Sequence, residues 1–314
     1  MAFAALEGAV FTLRRGGVVA FPTETVYGLG ADAENAQAVA RIFALKGRPP
    51  DHPLIVHLPG IEALARFARK VPPLAVRLAE HFWPGPLTLI LPKAKAVPEV
   101  VTGGQDTVGL RVPAHPLALE MLKAFGGGVA APSANRFGRV SPTTAEHVKE
   151  ELGDKIDYLL DGGPCPVGLE STILDLSSGK PRLLRVGAIS RLELAEVLGE
   201  LPELASGKAP KAPGTLPKHY APTLPLELLT SDELDALLAR LTDAVVLARR
   251  PDPELRGVKW LTMPQDPQAY AQVLYARLRE AERAHCQKIL VEMPPAEAAW
   301  EAVLDRLQRA AGSL

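Results

Sequence analysis

The chain has 314 residues, 47% of them hydrophobic and 23% charged, with a formal net charge of −1. That length exceeds one comfortable core and predicts two domains. The composition excludes a disordered chain, and the near-zero charge excludes a uniformly basic surface while leaving room for a local basic pocket.

The first long region alternates strands and helices. Residues 4–15 have helical spacing and run into the Gly16-Gly17 pair; 18–21 form a short buried strand. Asn35 caps a helix to about residue 45, with Ala36, Val39, Ile42 and Phe43 on one face. A strand is expected at 54–58, helices at 61–70 and 74–82, and strands at 87–91 and 108–112. A helix at 117–125 closes on three glycines, a strand begins at 129–131, and a helix covers 144–151. Strands at 158–160, 171–175 and 183–185 complete the set. Prolines 202, 210, 213, 217, 222 and 225 then mark an extended, semi-rigid connection. Beyond it, strands at 226–229, 245–248 and 289–291 alternate with helices at 232–241, 270–284 and 297–310. Alternation at this spacing predicts α/β layers in both parts. The expected division is 1–203, a linker at 204–224, and 225–314.

Cys165 and Cys286 are far apart and form no C-x-x-C pair, so zinc and thioredoxin-like readings fail and two free thiols are expected. The N-terminal stretch carries Glu7 before Arg14 and Arg15, the reverse of a signal peptide, and no run reaches membrane-spanning length without charge. A cytoplasmic protein without a membrane span is the expectation.

No Walker pattern is present. Gly28-Leu29-Gly30 followed by Ala33 matches a dinucleotide fingerprint only loosely. Four polar clusters instead sit at strand ends or in loops, where α/β proteins hold ligands. Phe21-Pro22-Thr23-Glu24-Thr25-Val26-Tyr27-Gly28 sets hydroxyls and a carboxylate in one turn, to orient a small polar substrate or to satisfy its own backbone. Lys46-Gly47-Arg48-Pro49-Pro50-Asp51-His52, with His57 beyond, gathers cations fit for a triphosphate, although a lysine there also suits a helix C-terminus. Pro132-Ser133-Ala134-Asn135, with Arg136, Arg139 and Ser141, is small, polar and basic, as a phosphate cradle is. Glu170-Ser171-Thr172 with Arg185 reads equally as a site or as an ordinary strand pair. Arg111 lies within an apolar strand that begins beside Thr107; it needs a partner, and a ligand carboxylate or Glu24 would each serve.

Together these segments resemble the YrdC/YwlC family of threonylcarbamoyl-AMP synthases. The resemblance rests on FPTETVYGL at 21–29, K-x-RP with HPL at 46–54, S-x-N at 133–135 and EST at 170–172. PG-x4-HYAP at 213–222 and DRL with RAA near the C-terminus resemble the long, two-domain form. The resemblance implies a twisted mixed-sheet α/β domain followed by a smaller Rossmann-like one. It implies formation of threonylcarbamoyl-AMP from L-threonine, bicarbonate or CO2, and ATP with Mg²⁺. It assigns Thr25, His57, Arg111 and Ser171 to threonine, and Lys46, Arg48, His52, Thr107, Ser133, Asn135, Ser141 and Arg185 to ATP. Lys46 and Arg48 are the expected catalytic cations, Tyr220 a lid or a packing anchor in the linker, and no protein-held metal is expected. A downstream tRNA threonylcarbamoyl-transfer machinery would consume the product, and contact with RNA is a second reading of the basic face. A carbamoyl-transfer domain of the hydrogenase-maturation kind is a third, and the accessory segments it predicts are not seen in the sequence.

Overall fold

The computed structural model describes residues 2–207 and 209–313. It divides into two compact units. The first runs to Phe137 and resumes from Pro142 to Thr215; the second joins Gly138–Ser141 to the chain from Leu216 onward.

In the first unit the elements are α1 (Ala2–Arg14), β1 (Val19–Phe21), β2 (Gly28–Asp32), α2 (Ala36–Lys46), β3 (Ile55–His57), α3 (Leu64–Phe67), α4 (Pro73–Phe82), β4 (Leu87–Pro92) and α5 (Glu99–Thr102). They continue as β5 (Thr107–Arg111), α6 (Pro116–Phe125), β6 (Val129–Ala130), α7 (Ala145–Leu152), β7 (Tyr158–Leu159), β8 (Thr172–Asp175), β9 (Arg182–Arg185), α8 (Arg191–Leu198) and β10 (Glu203–Leu204). The strands form a ten-stranded mixed sheet in the order β10-β9-β8-β4-β5-β3-β6-β2-β1-β7.

The strand alternation sorts side chains to two faces. Val56, Leu89, Leu110 and Leu174 enter the main core with residues of α2, α3, α4 and α8. On the opposite face Val19, Phe21 and Val129 are covered by Ala9, Leu13, Met121 and Leu122 of α1 and α6. Further along that second face Ile55, Ile90 and Ile173 cluster around Ala212 with Leu184 packed against them. His57 and Arg111 pair in register two residues along from Ile55 and Gly109, and Arg185 pairs with Ile173.

Several expectations shift in detail. The stretch 61–70 makes a short 3-10 turn and the single turn α3, not a full helix. Gly28-Leu29-Gly30 belongs to strand β2. A Cβ at Gly30 would lie 2.5 Å from Val129 Cγ1 and 2.7 Å from Phe21 Cε1, so glycine here admits neighbouring side chains rather than a pyrophosphate.

The second unit contains β11 (Leu226–Leu229), α9 (Ser231–Leu238), β12 (Ala244–Ala248), β13 (Val258–Thr262), α10 (Pro267–Glu282), β14 (Lys288–Glu292) and α11 (Glu301–Ala311). Its sheet has the order β11-β14-β12-β13 with every pair parallel. Thr230 caps α9 with a reciprocal Glu233 capping box, and Asp266 caps α10. The sequence reading missed β2, β13 and α8, and the short α5 and β10. Among the described residues no helix is long and apolar enough to cross a membrane.

Candidate active site

The loop between β1 and β2 is organised by Thr23. Its hydroxyl accepts from Thr25 N and Val26 N, both at 3.2 Å, and donates to Val26 O at 2.6 Å. With that proton used, the Thr25 hydroxyl is the donor in the 2.8 Å contact between the two side chains. The Thr25 oxygen then accepts from Arg111 Nη1 at 3.0 Å. A turn that satisfies itself through Thr23 thus presents Thr25 in a fixed orientation.

Arg111 ends β5 and is buried. Its partner is Glu24: Nη2 meets Oε1 at 2.6 Å, and the second carboxylate oxygen accepts from Ala114 N at 2.9 Å. Nε donates to Gly85 O at 3.2 Å. Three of five guanidinium N–H groups are therefore engaged, and the planar fork is locked in place.

His57 pairs in register with Arg111 on the parallel strand β3. Its ring meets Phe21 edge-on at 5.7 Å. Burial first and the Arg111 charge second push its pKa down to about 3, which contacts with the Val129 and Ile55 backbone only partly offset. The ring is neutral near pH 7, and its buried Nδ1 has no hydrogen-bond partner among the described residues. A neutral imidazole with an unfilled position beside a fixed guanidinium suits an amino acid: carboxylate to arginine, hydroxyl or amine to histidine.

Lys46 closes α2. Asn35 caps the start of this helix, and Gly47 ends it in the left-handed region at φ 62°, turning the chain so that Arg48 N returns to Phe43 O. Lys46 Nζ donates to Ser133 O at 2.5 Å and to Asn135 O. Burial, then the Arg48 charge, hold its pKa well below the ordinary lysine value. Arg48 donates to Pro53 O at 2.9 Å and lies 5.5 Å from the Phe137 ring centroid, which His52 meets edge-on at 5.2 Å. The loop with Ser133 and Asn135 is laced to the first cluster: Gly28 bridges Ser133, and Ala134 N donates to Tyr27 O at 2.8 Å.

Ser171 precedes β8. Its hydroxyl lies 2.8 Å from Thr88 Oγ1 and accepts from Arg185 Nη2 at 3.1 Å. Arg185 also donates to Ser171 O at 2.7 Å and to Pro213 O at 2.9 Å. Thr107 lines a hollow with Pro53, Ile55, Ile90, Gln105 and Lys211. Lys211 Nζ pairs with Asp51 at 2.6 Å, and its backbone N donates to Gln105 Oε1 at 2.7 Å.

Thus the first unit brings Thr25 to Arg111 and Arg111 to His57, Lys46 and Arg48 to the Ser133–Asn135 loop, and Ser171 to Arg185. Ser141 and Tyr220 belong to the second unit. There Tyr220 is buried at φ 60°, stacked on Tyr275 at 5.8 Å with Arg306 5.0 Å from its ring centroid. Arg139, read as part of a phosphate cradle, is also in that unit, with Nη2 on Glu282 at 2.8 Å. Thr23, named in the first cluster, satisfies its own turn as that reading allowed; sequence reasoning missed Thr88 and Phe137. Thr88 had a signal, a single hydroxyl within Leu87-Thr88-Leu89-Ile90; Phe137 had none.

Buried cations, hydroxyls and a neutral imidazole on one stretch of an α/β sheet define an enzyme for small anionic substrates. The chain belongs to the Sua5/YciO/YrdC family: the family model, described as telomere recombination, matches residues 12–187. A second model, the threonylcarbamoyl-AMP synthase C-terminal domain, matches 189–312. The chain is 40% identical over 313 residues to a threonylcarbamoyl-AMP synthase of Pyrococcus abyssi, covering 96% of this chain and 92% of that protein. It is 47% identical over 226 residues to the Bacillus subtilis protein of that name, covering 70% and 65%. Among solved structures it resembles P. abyssi Sua5 complexed with L-threonine, with a TM-score of 0.91, 39% identity and coverage of 98% and 94%.

Proposed function

We propose that this chain joins L-threonine, CO2 supplied as bicarbonate, and ATP into threonylcarbamoyl-AMP and pyrophosphate, the activated donor for a downstream threonylcarbamoyl transfer to tRNA. The observation that carries the reading is the buried Arg111, held by Glu24 and Thr25 beside the neutral ring of His57. Relatives that carry the synthase name support it.

In this reading the threonine carboxylate takes the open edge of Arg111, while Thr25, His57 and Ser171 hold the hydroxyl and amine. The amine nitrogen bonds to the carbon of CO2 and loses a proton, giving a carbamate. A carbamate oxygen then attacks the α-phosphorus of ATP, and the bond to the pyrophosphate oxygen breaks. No protein nucleophile is needed. The rate depends on alignment and on cations placed where charge builds on phosphate oxygens.

Lys46 and Arg48 supply that charge, Arg185 adds to it, and His52, Thr107, Ser133 and Asn135 contact the nucleotide. Ser141 and Tyr220 are assigned to ATP by the resemblance alone. Mg²⁺ enters with ATP. The groups assigned to the phosphates are cations, hydroxyls, an amide and the His52 imidazole, and among the described residues no group of three or more His, Cys, Asp or Glu could hold a metal, so the ion would come held by the phosphates. When bound, it would neutralise charge on the leaving pyrophosphate.

The test is pyrophosphate release by the purified chain. Release should require ATP, threonine and bicarbonate together. Equal release without threonine, or none with all three, overturns the proposal.

A further inference from the structure

We propose that the second unit holds its own oxyanion site, for a phosphoryl group, at the carboxyl edge of its parallel sheet. All four strands end on that edge. The two central strands β14 and β12 leave it in opposite directions, β12 toward its neighbour β13 and β14 through α11, which packs on β11 at the other side. Open parallel sheets leave a crevice for ligands where the connections diverge in this way.

The residues at that crevice are built rather than incidental. Glu292, the last residue of β14, is buried and accepts from Ser231 Oγ at 3.0 Å and from Arg249 N at 3.2 Å. Arg249 lies 5.3 Å from the Trp300 ring centroid, and its Nη1 donates to Gln265 Oε1 at 3.4 Å. Arg250 donates through Nη1 to Asp235 at 2.6 Å and lies 3.3 Å from Glu292 through Nε. Tyr270, at 0% exposure, meets Trp300 edge-on at 5.4 Å. Its hydroxyl is in electrostatic reach of Arg249 and Glu292, and burial raises its pKa, so it is protonated.

Three polar atoms here are buried without a hydrogen-bond partner among the described residues, Arg249 Nε, Arg250 Nη2 and Tyr270 OH, while Arg250 Nε faces Glu292. The first two only donate, and the phenol can. Leaving a buried donor unmade is costly, more so for a charged group. A ligand that completes the cluster must therefore present several acceptors and no donors at close range. A phosphoryl group does so, and two guanidinium groups match it. Glu292, Gln265 and Asp235 hold the arginines in place, and Ser231 holds Glu292. Lys46 and Arg48 lie in the other unit and are not used.

Phosphate, pyrophosphate and AMP are the probes, titrated calorimetrically into the full chain. To separate the two units, the titrations are repeated with Lys46→Ala/Arg48→Ala, which removes the cations of the adenylate site and should leave phosphate bound in the second unit, and in that background Arg249→Gln/Arg250→Gln should weaken binding at least tenfold. Tyr270→Phe removes one atom from a folded core and should weaken binding severalfold, which keeps the test available if the double variant does not fold. The ranking of the three probes identifies the carrier of the phosphoryl group. The proposal is overturned if wild type binds none of them, which would mean that water alone fills the crevice. It is equally overturned if binding vanishes with Lys46→Ala/Arg48→Ala, or if in that background it survives both Arg249→Gln/Arg250→Gln and Tyr270→Phe.

Discussion

Removing Glu24 tests the threonine end of the site most sharply. In Glu24→Ala, Arg111 loses the 2.6 Å ion pair and Ala114 N loses its acceptor, while the guanidinium stays fixed through Gly85 O and Thr25. Both partners are more than nine-tenths buried, at 4% and 7% side-chain exposure, so water does not replace the carboxylate. Breaking such a pair leaves an uncompensated buried charge, at about 3–5 kcal/mol. For a unit of this size that is a fall of roughly 6–20 °C in its transition. Threonine should offset part of the loss, because its carboxylate returns a negative charge to the same fork. Differential scanning with and without saturating L-threonine measures both effects. Threonine should raise the transition of Glu24→Ala by more than it raises wild type. A loss under about 1 kcal/mol refutes the argument from burial, and equal threonine shifts refute the placement of the carboxylate on Arg111.

Arg48→Ala should lower adenylate formation by at least a hundredfold while the chain still folds; its guanidinium donates to His52 O and Pro53 O in its own loop, and steady-state rates with circular dichroism separate lost activity from lost fold. Lys46→Ala should lose activity and also loosen the 133–135 loop whose carbonyls it holds, read as faster hydrogen exchange there. His57 has a folded pKa of about 3 against an ordinary 6.5, so between those values the unfolded chain binds a proton that the fold does not. Stability is full above pH 6.5 and falls as pH drops toward 3, with a ceiling of about 5 kcal/mol from this residue; His57→Gln should flatten that acid limb in denaturant titrations. Tyr220→Ala should destabilise the second unit by about 3–5 kcal/mol, because the ring is buried between Tyr275 and Arg306; a resolved second unfolding transition reports it.

Much of the fold was legible because its signals are local. Asn35 before an apolar helical face and Gly47 after it mark α2 at both ends; the capped helix forms there, with Val39, Ile42 and Phe43 buried as expected and Ala38 buried in place of the exposed Ala36. The capping box of Ser190 with Glu193 was equally present in the sequence, yet α8 was passed over because its apolar residues do not form a clear stripe. Strand β2 was hidden by Gly28 and Gly30, which look like loop residues until Phe21 and Val129 are found pressing on them. At the site, residue types pointed correctly to Arg111 needing a partner, but burial and geometry were required to show that Glu24 fills that role within the protein. Long-range contacts such as Lys46 to Ser133, 87 residues away, have no periodic signature in a single sequence. Arg249 Nε, Arg250 Nη2 and Tyr270 OH, unpartnered after β12 and in the first turn of α10, are invisible in sequence for the same reason: each lies in an ordinary-looking segment.

If the chain makes threonylcarbamoyl-AMP, carbon from bicarbonate is joined to threonine and then carried onto a nucleotide. Labelled bicarbonate supplied with ATP and L-threonine, with the label followed by chromatography coupled to mass spectrometry, reads this out. One labelled nucleotide with the mass of threonylcarbamoyl-AMP is expected, absent when threonine is omitted and strongly reduced in Arg111→Ala. Label that never enters a nucleotide, or enters one without threonine, contradicts it.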